Sequence, residues 1–235
     1  MKRFWTDVTV TPERGIALDA RPVRTPGRVP LILPTPALAD ALAAEWRAVG
    51  DTVDPRAMPL TGLANAAIDR IAPDPATFAA GLARYGESDL LCYRAEAPEP
   101  LVDRQRAHWD SVIAWAQHRW DIHIETTAGI IHRAQPPLTL TRLGEAVAAQ
   151  TPFALGALSP LVTLTGSLLI GLALVEGAIT ADAAWAAAHV DEDWQAELWG
   201  EDALATQARV NRRAEFDAAV KCLGLTSPFD KGDGA

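Results

Sequence analysis

Apolar residues recur along this chain with two different periods. In the first 35 positions the spacing is short. Phe4 to Val10 partly alternates, and Gly15–Asp19 and Val29–Leu33 flank Arg21 to Thr25, with Pro26-Gly27 as a turn signal. This pattern predicts a small antiparallel meander. From Thr35 the period becomes helical. Thr35 is placed to cap a helix that has Pro36 at its first position. Leu38, Leu42, Trp46 and Val49 follow on one face. Leu60, Leu63, Ala64, Ala67, Ile68 and Ile71 repeat the i, i+3, i+4, i+7 pattern, and Asp74-Pro75 opens a third helix with Phe78, Leu82 and Tyr85 on one side. Asp89 to Arg94 is short enough to be a strand returning to the sheet.

Ala97-Pro98-Glu99-Pro100 reads as a linker, because its prolines forbid a continuous helix. Leu101 to Arg119 is helical, with Trp109, Val112, Ile113, Ala116 and Trp120 on one face. Asp121–Glu125 and Gly129–His132 are candidate strands. Gln135-Pro136-Pro137 is a second break, and everything from Thr139 reads as helix until a polar, Gly-rich tail from Thr226 to Ala235, expected to be frayed. The run Leu161–Val175 is apolar but shorter than the about 20 residues a spanning helix needs, so one buried central helix is expected. The fold class is therefore α+β. A small N-terminal antiparallel β-meander with helices (residues 1–97) precedes a mainly α-helical orthogonal bundle (residues 98–235).

Composition narrows the functions. The 235 residues are 49% hydrophobic and 22% charged, which suits a packed globular protein. A net charge of -9 argues against non-specific nucleic-acid binding and against an anionic membrane surface. Cys92 and Cys222 each lie in apolar surroundings and read as buried thiols of a reducing compartment. Met1-Lys2-Arg3 runs directly into Phe4-Trp5-Thr6-Asp7, so no signal peptide is expected.

The charge itself is unevenly placed. From Leu143 to Ala208 there are 66 residues without a lysine or arginine, and they hold nine acids. Most crowd into Asp191-Glu192-Asp193-Trp194-Gln195-Ala196-Glu197-Leu198-Trp199-Gly200-Glu201-Asp202. Thr180 can cap a helix that runs to about Leu198, with Gly200 just past its end and Glu201 and Asp202 in the first turn of the next. At about 100° per residue, Trp185, Glu192 and Trp199 would share one face, with Trp194 opposite. Two readings compete: a solvated acidic face with tryptophans tucked into the bundle, or a docking surface with aromatic anchors and Glu192 pairing a basic group of the partner. Burial of Glu192 would raise its pKa unless an arginine reached it.

Recognisable catalytic chemistry is sparse. There is no GxGxxG or Walker loop, no GxSxG elbow, and no nucleophile with its base. His189 and Glu192 are three apart on a helix, but no second ligand cluster accompanies them, so neither metal nor cofactor is expected. One alternative is a small-molecule enzyme with Glu192 as general base in an inter-domain cleft. Another is an adaptor that binds basic peptides through the acidic face.

An ordered set of short motifs points further. It comprises Phe4-Trp5, Leu18-Asp19-Ala20-Arg21-Pro22-Val23-Arg24-Thr25-Pro26, Leu33-Pro34-Thr35, Ala44-Glu45-Trp46 and Met58-Pro59-Leu60-Thr61. It continues with Asp89-Leu90-Leu91-Cys92-Tyr93-Arg94, Arg104-Gln105, Trp109-Asp110, Glu192-Asp193-Trp194-Gln195 and Trp199-Gly200. In this set the chain resembles the assembly chaperones that bind the alpha subunit of the ATP synthase catalytic head in mitochondria and alpha-proteobacteria. Asp110-Ser111 stands where the family often has Asp-Pro. The resemblance implies a non-enzymatic protein without cofactor or metal, cytoplasmic in a bacterium and monomeric when free. Its implied partner is the free alpha subunit, with no nucleic acid and no membrane insertion. An important acid of that family precedes its Trp-Gly pair, and by position Glu192 matches it, with Asp191 and Asp193 as neighbours. The expected partner-binding set is Glu192, Asp191, Asp193, Trp194, Glu197 and Trp199. Arg21, Arg24 and Arg94 are further candidates, whereas Trp46 and Trp109 are expected in the core.

Overall fold

A computed structural model describes residues 2–200 and 202–226, so the expectations for Glu201 and for the tail beyond Thr226 fall outside the described residues. The chain forms two compact units. One comprises residues 1–75, 151–157 and 218–235, and the other 76–150 and 158–217. A domain boundary at residues 97/98 is a proposal distinct from this spatial grouping.

The first unit opens with strands β1 (Val8–Val10), β2 (Ile16–Leu18) and β3 (Arg21–Pro22) in the order β1-β2-β3. Both pairings are antiparallel, with Val8 opposite Leu18 and Leu18 opposite Arg21. This is the expected meander, except that Val29–Leu33 contributes only isolated bridges, Gly15 with Ile32 and Arg24 with Pro30. Helix α1 (Pro36–Ala48) is capped by Thr35, whose hydroxyl accepts the Leu38 N–H at 3.1 Å. It buries Leu38, Leu42 and Trp46 against Trp5, Ile16, Leu31 and Leu33. Glu45 leaves α1 to cap α2 (Pro59–Ala66), accepting the N–H groups of Leu60 and Thr61, both at 2.8 Å. A π-turn, Ala67–Ile71, follows, and its Asp69 accepts from Thr25 Oγ1 (2.6 Å) and from the Gly27 amide (2.8 Å).

The second unit is helical: α3 (Pro75–Ala83), α4 (Glu99–Trp120), α5 (Pro137–Ala148), α6 (Pro152–Thr165), α7 (Leu168–Val175), α8 (Ala181–Ala188), α9 (Val190–Trp199) and α10 (Ala203–Thr226). The start of α6 and the end of α10 belong to the first unit. The 22-residue α4 is central, packing on α7, α8 and α9. Trp109 is 1% exposed and Trp46 8%, so both lie in the core, as expected. Both cysteines are buried and free. Among the described residues, no helix is long and apolar enough to cross a membrane.

Four expectations are corrected. Leu161–Val175 is not one helix. Gly166 turns the chain at φ 66° and Ser167 caps α7, its Oγ accepting from the Ile170 amide at 3.1 Å. Asp121–Glu125 and Gly129–His132 are not strands either. Asp121 ends α4 in the left-handed conformation, and the amide and carbonyl of Glu125 are both taken by the Gln135 side chain (3.0 and 2.8 Å), which occupies the place of a neighbouring strand. The strand that does form, β5 (Thr127–Ala128), pairs in parallel with β4 (Tyr93–Arg94), so Asp89–Arg94 does not return to the N-terminal sheet. Lastly, the helix expected from Thr180 to Leu198 is two helices.

Candidate protein-binding surface

The break lies at His189 (φ -117°, ψ 15°). Its Nδ1–H donates to the Trp185 carbonyl at 2.8 Å, the acceptor that its own backbone amide would use in a continuing α-helix. The amide turns instead to the Ala186 carbonyl at 3.2 Å, and the helix tightens and ends. The imidazole is buried and stacks on Trp185 at 3.8 Å between centroids. Burial pushes its pKa below the usual histidine value, although its bond to the Trp185 carbonyl opposes the shift.

The break resets the angular phase, so Trp185 and Trp199 do not share a face. Trp185 is buried, edge-on to Phe216 at 5.3 Å and beneath the Arg213 guanidinium at 5.4 Å. Trp199 is 76% exposed, beside exposed Leu198 and, across Gly200, exposed Leu204. Glu192 is exposed, not set between two indoles.

Nor does the acidic run present a single sign. Glu192 is held by Arg212 through two bonds of 3.1 and 2.8 Å. Asp193 pairs with Arg209 at 2.5 Å and Asp182 with Arg213 at 2.5 Å. Glu197 is gripped by both terminal nitrogens of Arg104, at 2.7 and 2.6 Å. These bonds hold the Glu197 carboxyl below the ordinary carboxylate range. The same guanidinium lies 5.0 Å from the ring centre of half-buried Trp194. Asp191 accepts from Gln105 Nε2 at 2.8 Å.

Glu192, Ala196, Trp199, Thr206, Arg209 and Arg212 line a cleft of about 500 Å³ between the end of α9 and the start of α10. Of the expected set, Glu192 and Trp199 meet at this cleft, while Asp191, Trp194 and Glu197 turn to α4. The arginine partners were missed in the sequence because they sit outside the arginine-free stretch. One signal was available: Arg209, Arg212 and Arg213 follow that stretch at i, i+3 and i+4, on one helical face.

Arg94 is half-buried, 2.8 Å from Asp110 and 5.1 Å over the Trp109 ring, and so is engaged inside its own unit. Arg21 is exposed on β3 and Arg24 donates to the Arg28 carbonyl at 2.8 Å. Among the described residues, no group of three or more His, Cys, Asp or Glu side chains is placed to hold a metal ion.

A family model described as ATP12 chaperone protein matches residues 2–117. The chain is also similar to two solved structures. One is Atp12 from Paracoccus denitrificans, at 45% identity and a TM-score of 0.91, covering 96% of this chain and 98% of that one. The other is a chaperone candidate from Agrobacterium tumefaciens, at 43% identity and a TM-score of 0.91, covering 96% of this chain and 86% of that one.

Proposed function

Because the chain belongs to the ATP12 chaperone family, whose members serve ATP synthase assembly, we propose that it binds the free alpha subunit and shields the surface that alpha later shares with its neighbours in the catalytic head. The observation that carries this reading is the 45% identity to Paracoccus Atp12 over 96% of the chain. The local geometry supports it. A free subunit of an oligomer exposes apolar interface, which aggregates when unpaired. Exposed Trp199, Leu198 and Leu204 offer apolar area to such a surface, and Glu192 adds a carboxylate at the same cleft. In this reading α9 is the docking helix, and Glu192 and Trp199 make the central contacts. Beta subunits displace the chaperone, which requires a moderate grip.

No observation favours Glu192 as a general base, since both of its oxygens are engaged by Arg212. The deciding experiment is size-exclusion chromatography with light scattering on mixtures with purified alpha and, separately, with beta. A stable complex with alpha alone is expected. No complex with alpha would overturn the partner assignment.

A further inference from the structure

The non-helical turn at His189 leaves the exit angle of α9 to be set by tertiary contacts. Those on one side come from α4 and straddle the break. Before it, Trp109 Nε1 donates to the Ala187 carbonyl at 2.7 Å. After it, Gln105 Nε2 donates to Asp191 at 2.8 Å. Further along, Arg104 grips Glu197 with two bonds and covers the Trp194 ring. Trp109 and Gln105 are four residues apart, one turn of α4, so they project from one face. Their targets, Ala187 and Asp191, are also four apart, in the opposite chain direction. α4 therefore lies along the broken segment as a splint, in antiparallel register.

Gln105 is built for this. It is 2% exposed, and its other end is also used, Oε1 accepting the Ala95 amide at 2.8 Å. A buried amide with both ends satisfied has one orientation, because turning it would leave polar groups unpaired. Arg104 is different. Its pair with Glu197 is exposed, and exposed pairs add little to folding stability. A two-point grip reinforced by ring stacking does fix direction.

We infer that Arg104 and Gln105 are positioning residues for the docking helix. They orient α9 so that Glu192 and Trp199 are presented together, and Asp191, Trp194 and Glu197 are the grips by which α9 is held, not contacts to the partner. The inference rests on α9 being the surface that meets alpha.

The test uses the full chain and four variants: Arg104→Ala, Glu197→Ala, their double, and the charge-exchanged Arg104→Glu/Glu197→Arg. Two quantities are read, amide hydrogen exchange of α9 in the free protein and affinity for purified alpha. Each single variant is expected to speed α9 exchange by about tenfold and to weaken alpha binding by a similar factor, with melting within about 2 °C of wild type. The double should be no worse than Arg104→Ala, because that single variant already loses the Glu197 pair together with the Trp194 contact, and the exchanged pair should recover the share of both readouts that the ion pair supplies. Loss of binding in Glu197→Ala alone, without recovery in the exchanged pair, would make Glu197 a direct contact and overturn the inference. Unchanged exchange in Arg104→Ala would overturn it too. If wild type itself does not bind alpha, the partner assignment fails, and exchange in the free protein still decides whether the splint holds α9.

Discussion

Arg212 of α10 meets Glu192 of α9 in a two-point ion pair, with Nη1 3.1 Å from Oε1 and Nη2 2.8 Å from Oε2, at the cleft that Trp199 borders. The side chains are 39% and 48% exposed, so the pair contributes at most about 1 kcal/mol to folding. Glu192→Lys is expected to leave far-UV circular dichroism and melting nearly unchanged while weakening alpha binding by about tenfold or more, since it sets two cations side by side where a carboxylate stood. Calorimetric titration against alpha checks this, and wild-type affinity in the variant would remove Glu192 from the interface.

Trp46 tests the core of the first unit. It packs edge-on to Trp5 at 5.4 Å, and both indoles are buried. Trp46→Arg places a charge there without a partner and should cost about 3–5 kcal/mol. The Trp46 Nε1 makes no hydrogen bond, so Trp46→Phe sacrifices volume only and should cost less, about 1–2 kcal/mol. Urea unfolding distinguishes the two, and an arginine variant as stable as wild type would contradict the packing.

Asp89 carries a pH dependence of stability. It is buried and accepts the amides of Leu91 and Leu169, both at 3.0 Å, so it closes the start of α7. Burial pushes its carboxyl up to about 6, against the lowering effect of those bonds. The folded protein thus holds this proton more tightly than the unfolded chain does. The stabilisation is present below about pH 4 and is lost as pH rises through 6, on the order of 3 kcal/mol in all. Asp89→Asn removes that slope. Unfolding free energies of wild type and variant, measured from pH 4 to pH 7, should therefore differ by an amount that falls as pH rises; a constant difference would show that Asp89 does not titrate in this window.

The thiols should be silent in the native state. Burial pushes both Cys92 and Cys222 up to about 12. At pH 8 neither is a thiolate nor accessible, so a disulfide reagent such as DTNB is expected to react with both only after denaturation. Rapid native reaction would place one of them in an opening segment.

The parts of the fold that were legible in the sequence are those that local spacing determines. Thr35-Pro36 starts a helix because a hydroxyl can cap it and a proline needs no N–H there. Trp46 and Trp109 are buried because each lies on an apolar helical face that must meet a core. The left-handed turns at Gly166 and at Asp121 were missed because neither changes the hydrophobic period around it.

The site divides in the same way. The order of residues alone shows that acids and tryptophans crowd one segment near Gly200, and that the chain as a whole resembles a family of chaperones. Tertiary structure decided what those side chains do. A single ring N–H of His189 takes a backbone carbonyl, ends α8 and turns Trp185 inward. Arg104 on α4 and Arg209, Arg212 and Arg213 on α10 neutralise acids from 16 to 93 positions away, leaving Trp199 as the exposed aromatic of α9. Charge pairing depends on distance in space, and a period read along one segment carries no information about which other segment will face it.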